Sequence, residues 1–244
     1  MISERQLSEL FHSLWQQHFP LLNPSFIRRF NAEQQERVYT EDGARVLPVP
    51  MGTGIQRFDL VAEVAFETAS EQYKQAQGSY TADSTAATQR AMRTIALLNR
   101  EPTIAPPSLP EVAEAERLLQ VYASFLAPFV SREMTFKPII RGSGILAAME
   151  ADFCTQEILF EVKAVHRNLH TTDLRQVICY LVAGLGSRQF AWSEYCIFNP
   201  RLAVYYRGRV DELLSYTSGR TPHDSISGFL DTLMEREQPV ENRF

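Results

Sequence analysis

Alternating hydrophobic and polar residues mark the middle of the chain, within residues 141–180. Residues 145–153 have the length and pattern of a strand, and residues 158–165 form a second segment rich in β-branched and aromatic side chains. Residues 154–157 lie between them and predict a four-residue turn. The pattern therefore predicts two strands joined as a hairpin.

Three charged residues of this hairpin are predicted to lie on one face. Side chains alternate between the two faces along a strand, so Glu161 and Lys163 point the same way. With a four-residue turn, Phe153 pairs with Ile158, and Asp152 lies on the face of Glu161, one diagonal step away. We therefore expect two carboxylates and an ammonium group in one patch.

A helical pattern with a threonine N-cap follows over residues 172–182. Gln176 and Tyr180 lie four residues apart and share a face of this helix. An amide and a phenol on that face can hydrogen-bond a phosphodiester backbone or hold Lys163 in place. The alternative is an ordinary polar helix face beside a sheet.

The rest of the chain is mainly helical in its first hundred residues and mixed afterwards. Helices are predicted from residue 1 to about 20, at 55–75 and 85–99, and from 108 to about 129; strands at 134–140, 194–199 and 202–206; and helices at 210–216 and 226–235. The proline-rich segment 101–107 is the clearest linker. The predicted organisation is a mainly helical region, residues 1–104, followed by an α/β domain, residues 105–244.

Glu63 and Glu67 lie four residues apart on the second predicted helix. Two carboxylates at this spacing are compatible with a metal site, but such a pair is more often a solvated helix face. We therefore expect both side chains to face solvent.

The hairpin patch has the composition of a magnesium site. Mg²⁺ prefers oxygen ligands and is commonly held by one or two carboxylates together with substrate phosphate. Asp152 and Glu161 would supply the carboxylates, and the backbone carbonyl of Val162 a third oxygen. Lys163 would lie beside a metal-bound water and orient the hydroxide or neutralise the transition state. The alternative is a hairpin-end aspartate beside the polar face of a half-exposed strand.

Four short motifs carry a resemblance to a known family. They are Gly142-Ser143-Gly144, Glu150-Ala151-Asp152, Leu159-Phe160-Glu161-Val162-Lys163, and Asp173-Leu174-Arg175-Gln176 followed by Tyr180. Together they resemble the core of the PD-(D/E)XK nuclease superfamily, also called restriction-endonuclease-like. The branch with a Gln-x-x-x-Tyr helix, which includes RecB-type nucleases, is the most similar. One departure is that no proline immediately precedes Asp152.

This resemblance implies both a fold and a set of roles. The implied fold is a restriction-endonuclease-like core, in which helices flank a mixed central sheet. Asp152 and Glu161 would bind Mg²⁺ or Mn²⁺, and Lys163 would assist the attacking water. Gln176 and Tyr180 would face the substrate.

The helix that begins near residue 108 adds one more candidate metal ligand. In nucleases of this type such a helix often carries a further glutamate near the metal. Glu111 fits the capping box that begins at Ser108, and Glu116 falls towards solvent, which leaves Glu114. The alternative is an ordinary surface glutamate.

The charge of the chain is unusual for a protein that binds nucleic acid by itself. The net charge is −5, whereas binding to phosphates normally requires a basic surface. Residues 131–220 are more basic, with eleven Lys and Arg against nine Asp and Glu. Arg141, Arg167 and Arg175 from this segment are the candidate nucleic-acid contacts, and scattered solubilising charge is the alternative.

The sequence therefore predicts a nuclease that hydrolyses DNA with Mg²⁺ or Mn²⁺. The chain has no helicase or ATPase motif, so we expect a helicase, an ATPase or another defence-system protein as partner. By resemblance, phage defence or mobile-element control is the expected setting, and DNA repair is the alternative. A catalytically silent nucleic-acid-binding or scaffolding protein, an RNA nuclease and a homo-oligomer stay open.

Two further features bear on the location of the protein. No apolar run approaches the roughly 18 residues of a membrane span, so we expect no membrane partner. The three cysteines have no metal-type spacing. This usage fits the reducing cytoplasm.

Overall fold

The computed structural model describes residues 1–78 and 83–236. Its helices are α1 (Glu4–Leu10), α2 (His12–His18), α3 (Pro24–Glu33), α4 (Phe58–Ala76), α5 (Ser84–Asn99), α6 (Leu109–Leu126), α7 (Thr171–Gly186), α8 (Val210–Ser218) and α9 (Pro222–Glu235). Its strands are β1 (Gln35–Arg37), β2 (Thr135–Phe136), β3 (Ile139–Ile140), β4 (Met149–Glu150), β5 (Phe153–Cys154), β6 (Ile158–Val162), β7 (Glu194–Asn199) and β8 (Val204–Arg209). None of these helices is long and apolar enough to cross a membrane.

Most of the strands form one mixed sheet. Their order is β1-β8-β7-β6-β5-β2, and β3 pairs separately with β4. β6 and β7 are parallel, and the other neighbours are antiparallel. α7 connects the two parallel strands, which require a long crossover. The fold is therefore α/β with a mainly helical region before most of the sheet, as the sequence predicts.

Helices cover both faces of the sheet because its central strands are apolar on both sides. Leu159 and Ile197 point into a core that they share with α1, α2, α3, α7, α8 and α9. Phe160 and Phe198 point the other way, into a core shared with α4, α5 and α6. In this second core the rings of Phe125 and Phe198 stack with centroids 3.9 Å apart. The sheet is thus the middle of three layers.

The residues before the proline-rich linker take part in both cores. Trp15 of α2 is buried in the first core, and Val61 of α4 is buried in the second. β1 adds a strand to the edge of the sheet beside β8. The predicted regions 1–104 and 105–244 therefore share their cores, and the boundary between them stays a prediction.

Two predicted elements are interrupted in the structure. The helix expected from residue 1 to about 20 is split at Phe11, whose φ and ψ of −95° and 53° are not helical. The strand expected at 134–140 is split into β2 and β3 by Lys137, whose φ of 53° is left-handed. The facing segment is split at the same level into β4 and β5, with Asp152 at the break.

The hairpin turn is tighter than predicted, which changes the register. Phe153 pairs with Phe160 rather than with Ile158. The hydroxyl of Thr155 accepts hydrogen bonds from two backbone N–H groups of the turn, those of Glu157 and Ile158. These bonds stabilise a turn that is shorter than the predicted one. The diagonal relation between the two acidic residues that the sequence predicted is therefore wrong.

Candidate active site

Lys163 is held at the end of the central strand β6. Its backbone N–H donates to the carbonyl of Phe198 at 2.8 Å, which continues the pairing of β6 with β7 by one residue. Side chains alternate along the strand, so Lys163 lies on the α7 side together with Glu161. Strand pairing thus fixes the position of the predicted catalytic lysine.

The side chain of Lys163 connects the strand to α7. Its Nζ forms an ion pair with Oε1 of Glu161 at 2.7 Å and donates a hydrogen bond to Oε1 of Gln176. Nε2 of Gln176 donates to the hydroxyl of Tyr180 at 2.7 Å. Glu161 and Tyr180 are buried, and the Lys163 side chain is 16% exposed. Four of the five predicted catalytic residues therefore lie in one connected chain of polar contacts.

Asp152 joins this cluster from the break between β4 and β5. Its Oδ2 accepts a hydrogen bond from the backbone N–H of Val162 at 2.5 Å, and its carbonyl accepts one from the N–H of Lys137 at 2.8 Å. Extended by one residue, the observed register puts Asp152 opposite Glu161. Opposite residues have Cα atoms about 5 Å apart, nearer than the diagonal neighbours that the sequence predicted.

The charge state of the cluster follows from its burial. Burial and the charge of Glu161 raise the pKa of Asp152 well above its ordinary value. Burial alone would lower the pKa of Lys163, but the carboxylate of Glu161 outweighs it, and this pKa lies above its ordinary value. Burial also raises the pKa of the Tyr180 hydroxyl. The cluster thus contains one protonated lysine and two carboxyl groups, and the carboxyl group of Asp152 ionises less readily than an ordinary aspartate does.

Asp152→Asn is expected to stabilise the metal-free protein at neutral pH. A carboxyl group whose pKa is raised by folding destabilises the folded protein once it ionises. This loss of stability develops as the pH rises from the ordinary pKa, about 3.9, through the pKa of the folded state. Asparagine keeps an oxygen for the N–H of Val162 and has no charge to bury. Thermal unfolding in a chelator should give a higher Tm for the variant near neutral pH and equal Tm values well below about pH 4. A lower Tm at neutral pH would contradict the raised pKa of Asp152.

The donor groups of this cluster fit a hard divalent cation. Asp152 and Glu161 place two carboxylates at one strand end with one ammonium group, and Mg²⁺ binds such oxygen ligands. Within residues 1–78 and 83–236, no group of three or more His, Cys, Asp or Glu side chains is placed to hold a metal ion. Mg²⁺ at Asp152 and Glu161 would therefore take its remaining ligands from water, substrate and backbone oxygen.

Glu114, the further predicted metal ligand, has its hydrogen-bond partners outside this cluster. Its Oε1 accepts from Nη1 of Arg201 at 2.6 Å, and its Oε2 accepts from the N–H of Gly52 at 2.6 Å. The side chains of Glu114 and Arg201 are 0% and 1% exposed. Glu114 is therefore not on the surface, and it forms a buried ion pair that links α6 to the turn after β7.

The three predicted nucleic-acid contacts have different surroundings. The side chain of Arg141 is exposed. Arg167 forms a two-point ion pair with Asp173, with Nη1 and Oδ2 2.6 Å apart. Arg175 donates to the carbonyl of Ser8 and lies over an aromatic ring of α2. Arg167 and Arg175 therefore have partners within the chain.

Glu4 is an acidic neighbour of the cluster that was not predicted. It lies in the first turn of α1; burial raises its pKa, and the charges of Glu161 and Lys163 act on it. The preceding segment is tied to the chain ahead of Asp152, because the N–H of Ile2 donates to the carbonyl of Ile145 at 2.8 Å. No local pattern marks Glu4, since α1 reaches the site through tertiary packing.

Glu63 of α4 is a second neighbour. It forms an ion pair with Nζ of Lys137 at 2.9 Å, and its charge contributes to the raised pKa of Asp152. Glu67, one turn along, also pairs with Lys137 and is buried. The solvated face predicted for these two glutamates is therefore wrong for Glu67. The four-residue spacing of these glutamates was the only sign in the sequence that they act together. The sequence does not show that Lys137 lies opposite them.

No protein-family model, no curated protein and no solved structure matches this chain.

Proposed function

We propose that this protein is a deoxyribonuclease that hydrolyses DNA phosphodiester bonds with Mg²⁺ or Mn²⁺. The observation that carries the proposal is Lys163, which Glu161 and Gln176 hold at the end of a central strand beside Asp152. Asp152, Glu161 and the backbone carbonyl of Val162 would hold the cation. When bound, the cation supplies a water of lowered pKa and positive charge for the phosphate.

Lys163 acts in this proposal as a cation and hydrogen-bond donor. Its pKa lies above the ordinary value, so it stays protonated and does not serve as a general base. Its ammonium group neutralises charge that develops on the phosphate oxygens. Gln176 orients this group, and Tyr180 in turn orients Gln176.

The order of strands and helices supports a restriction-endonuclease-like core for this activity. α6 precedes the central strands, β5 and β6 form an antiparallel hairpin, and α7 leads into the parallel strand β7. The hairpin carries Asp152 and Glu161, and α7 carries Gln176 and Tyr180. Helices flank this mixed sheet on both faces, which is the architecture that the motif resemblance implies.

The charge of the protein supports action together with a partner. The net charge is −5, which opposes binding to DNA phosphates, and two of the three candidate contacts, Arg167 and Arg175, are engaged within the chain. A helicase, an ATPase or another protein of a phage-defence or mobile-element-control system would bring DNA to the site.

Cleavage by the purified protein tests the proposed function. Linear and circular DNA, single- and double-stranded, and RNA are incubated with Mg²⁺, Mn²⁺ or a chelator. We expect metal-dependent cutting of DNA that is lost in Glu161→Gln, since glutamine keeps the shape of the side chain and removes its charge. Cutting of RNA alone would make the protein a ribonuclease. Binding without cutting of any substrate would favour the catalytically silent nucleic-acid-binding protein.

A further inference from the structure

The hydroxyl of Tyr122 on α6 is buried without a hydrogen-bond partner among the described residues. The residue is 1% exposed, and its ring packs against Phe66 and Phe198, with centroids 6.4 and 5.2 Å away. Buried hydroxyl groups nearly always have a partner in the protein or an ordered water. A water or ligand oxygen is therefore expected beside Tyr122.

Two acidic residues are near enough to Tyr122 to act on it electrostatically. The charges of Asp152 and Glu63 both act on Tyr122. Lys137 connects the two, because its backbone N–H donates to the Asp152 carbonyl and its Nζ pairs with Glu63. Phe66, three residues after Glu63 on α4, packs on the Tyr122 ring. Glu63 of α4 and Tyr122 of α6 are therefore neighbours of Asp152 at the candidate site.

We propose that Glu63 and Tyr122 hold the water shell of the divalent cation at Asp152. This inference rests on the proposed function, and it extends the metal site to residues that the motif does not contain. Mg²⁺ gives up its waters reluctantly, so a site with two carboxylates needs partners for the waters that remain. The Tyr122 hydroxyl both donates and accepts, and a carboxylate accepts. Both are positioning residues, because they act through waters.

Glu63 is better suited to this role than Glu67. Lys137 takes Oε1 of Glu63, and within residues 1–78 and 83–236 Oε2 of Glu63 makes no hydrogen bond. The two oxygens of Glu67 pair with Arg90 and Lys137. The Glu63 side chain is 20% exposed, whereas that of Glu67 is 6% exposed. Glu67 therefore anchors Lys137, and Glu63 has an oxygen left for a water.

Calorimetric titration with Mg²⁺ or Mn²⁺ in the absence of DNA tests this inference. We expect Glu63→Gln and Tyr122→Phe to weaken cation binding about 10–100-fold, the usual loss when a residue that orients a metal's ligands is removed. The Tm of metal-free Tyr122→Phe should not fall, because no hydrogen bond within the protein is lost. Tyr73→Phe is the matched control. It loses hydrogen bonds to the carbonyls of Phe129 and Arg132, so its Tm should fall while its cation affinity stays unchanged.

The outcomes separate this inference from the proposed function. If the wild-type protein binds neither cation, the proposed metal site and this inference are both wrong. A second outcome is that the wild-type protein binds a cation, that Asp152→Asn abolishes this binding, and that Glu63→Gln and Tyr122→Phe bind the cation as tightly as the wild type does. The metal site is then supported and the water-shell role is wrong. A lower Tm for metal-free Tyr122→Phe would assign the hydroxyl a structural role and overturn the inference.

Discussion

Lys163→Met should slow metal-dependent DNA cleavage about 10²–10³-fold, the loss typical for removal of a group that stabilises charge in the transition state. The ammonium group of Lys163 pairs with Glu161, hydrogen-bonds Gln176 and has a raised pKa, so it is charged at neutral pH. Methionine has a similar length and no charge. The measurement is the initial cleavage rate at saturating Mg²⁺, on a substrate that the wild-type protein cuts.

Lys74→Met is the matched control for this loss. Lys74 lies on α4, with its Nζ 5.6 Å from the centre of the Phe136 ring, and we expect wild-type cleavage from this variant. Removal of Lys163 leaves Glu161 buried without its ion pair, so the Tm with and without Mg²⁺ must be measured as well. A folded, metal-binding Lys163→Met protein that cuts at the wild-type rate would show that Lys163 has no catalytic role.

Glu114→Gln should lower the free energy of unfolding by about 3–5 kcal/mol, because it leaves the charge of Arg201 buried without a counter-charge. Both side chains are almost fully buried, and Nη2 of Arg201 has no hydrogen-bond partner in the described part of the chain. In a protein of this size the Tm falls by about 2–4 °C for each kcal/mol, which gives a decrease of roughly 6–20 °C. Thermal unfolding followed by circular dichroism measures it.

Two further measurements distinguish a buried ion pair from a metal ligand. The double variant Glu114→Leu with Arg201→Met removes both charges and should recover most of the lost stability. The folded Glu114→Gln protein should bind Mg²⁺ as tightly as the wild type does. Weaker Mg²⁺ binding with an unchanged Tm would instead place Glu114 at the metal.

The part of the candidate site that the sequence could predict depends on local geometry. Strand alternation puts Glu161 and Lys163 on one face, and four-residue helical spacing puts Gln176 and Tyr180 together. These relations need no knowledge of distant residues. The α/β class was predictable for the same reason, because the strands and helices of the second half have clear periods.

The rest depends on contacts between distant parts of the chain. The register of Asp152 was wrong because the Thr155 hydroxyl tightens the turn, an effect that strand pattern does not show. The ion pair of Glu114 could not be predicted, because its partner Arg201 is 87 positions away. Glu4 reaches the site only through the packing of α1. Side chains that act across such separations have no signature in a single sequence.

The contacts of α1 also bear on the order in which the protein assembles. Ile2 meets Ile145, and Ser8 meets Arg175, so the first ten residues remain without these native partners until most of the chain has been synthesised. Native contacts across such separations are slow to form, since loop closure must precede them. The candidate site is therefore expected to be among the last parts of the protein to form during synthesis, well after helices α4, α5 and α6 have packed together.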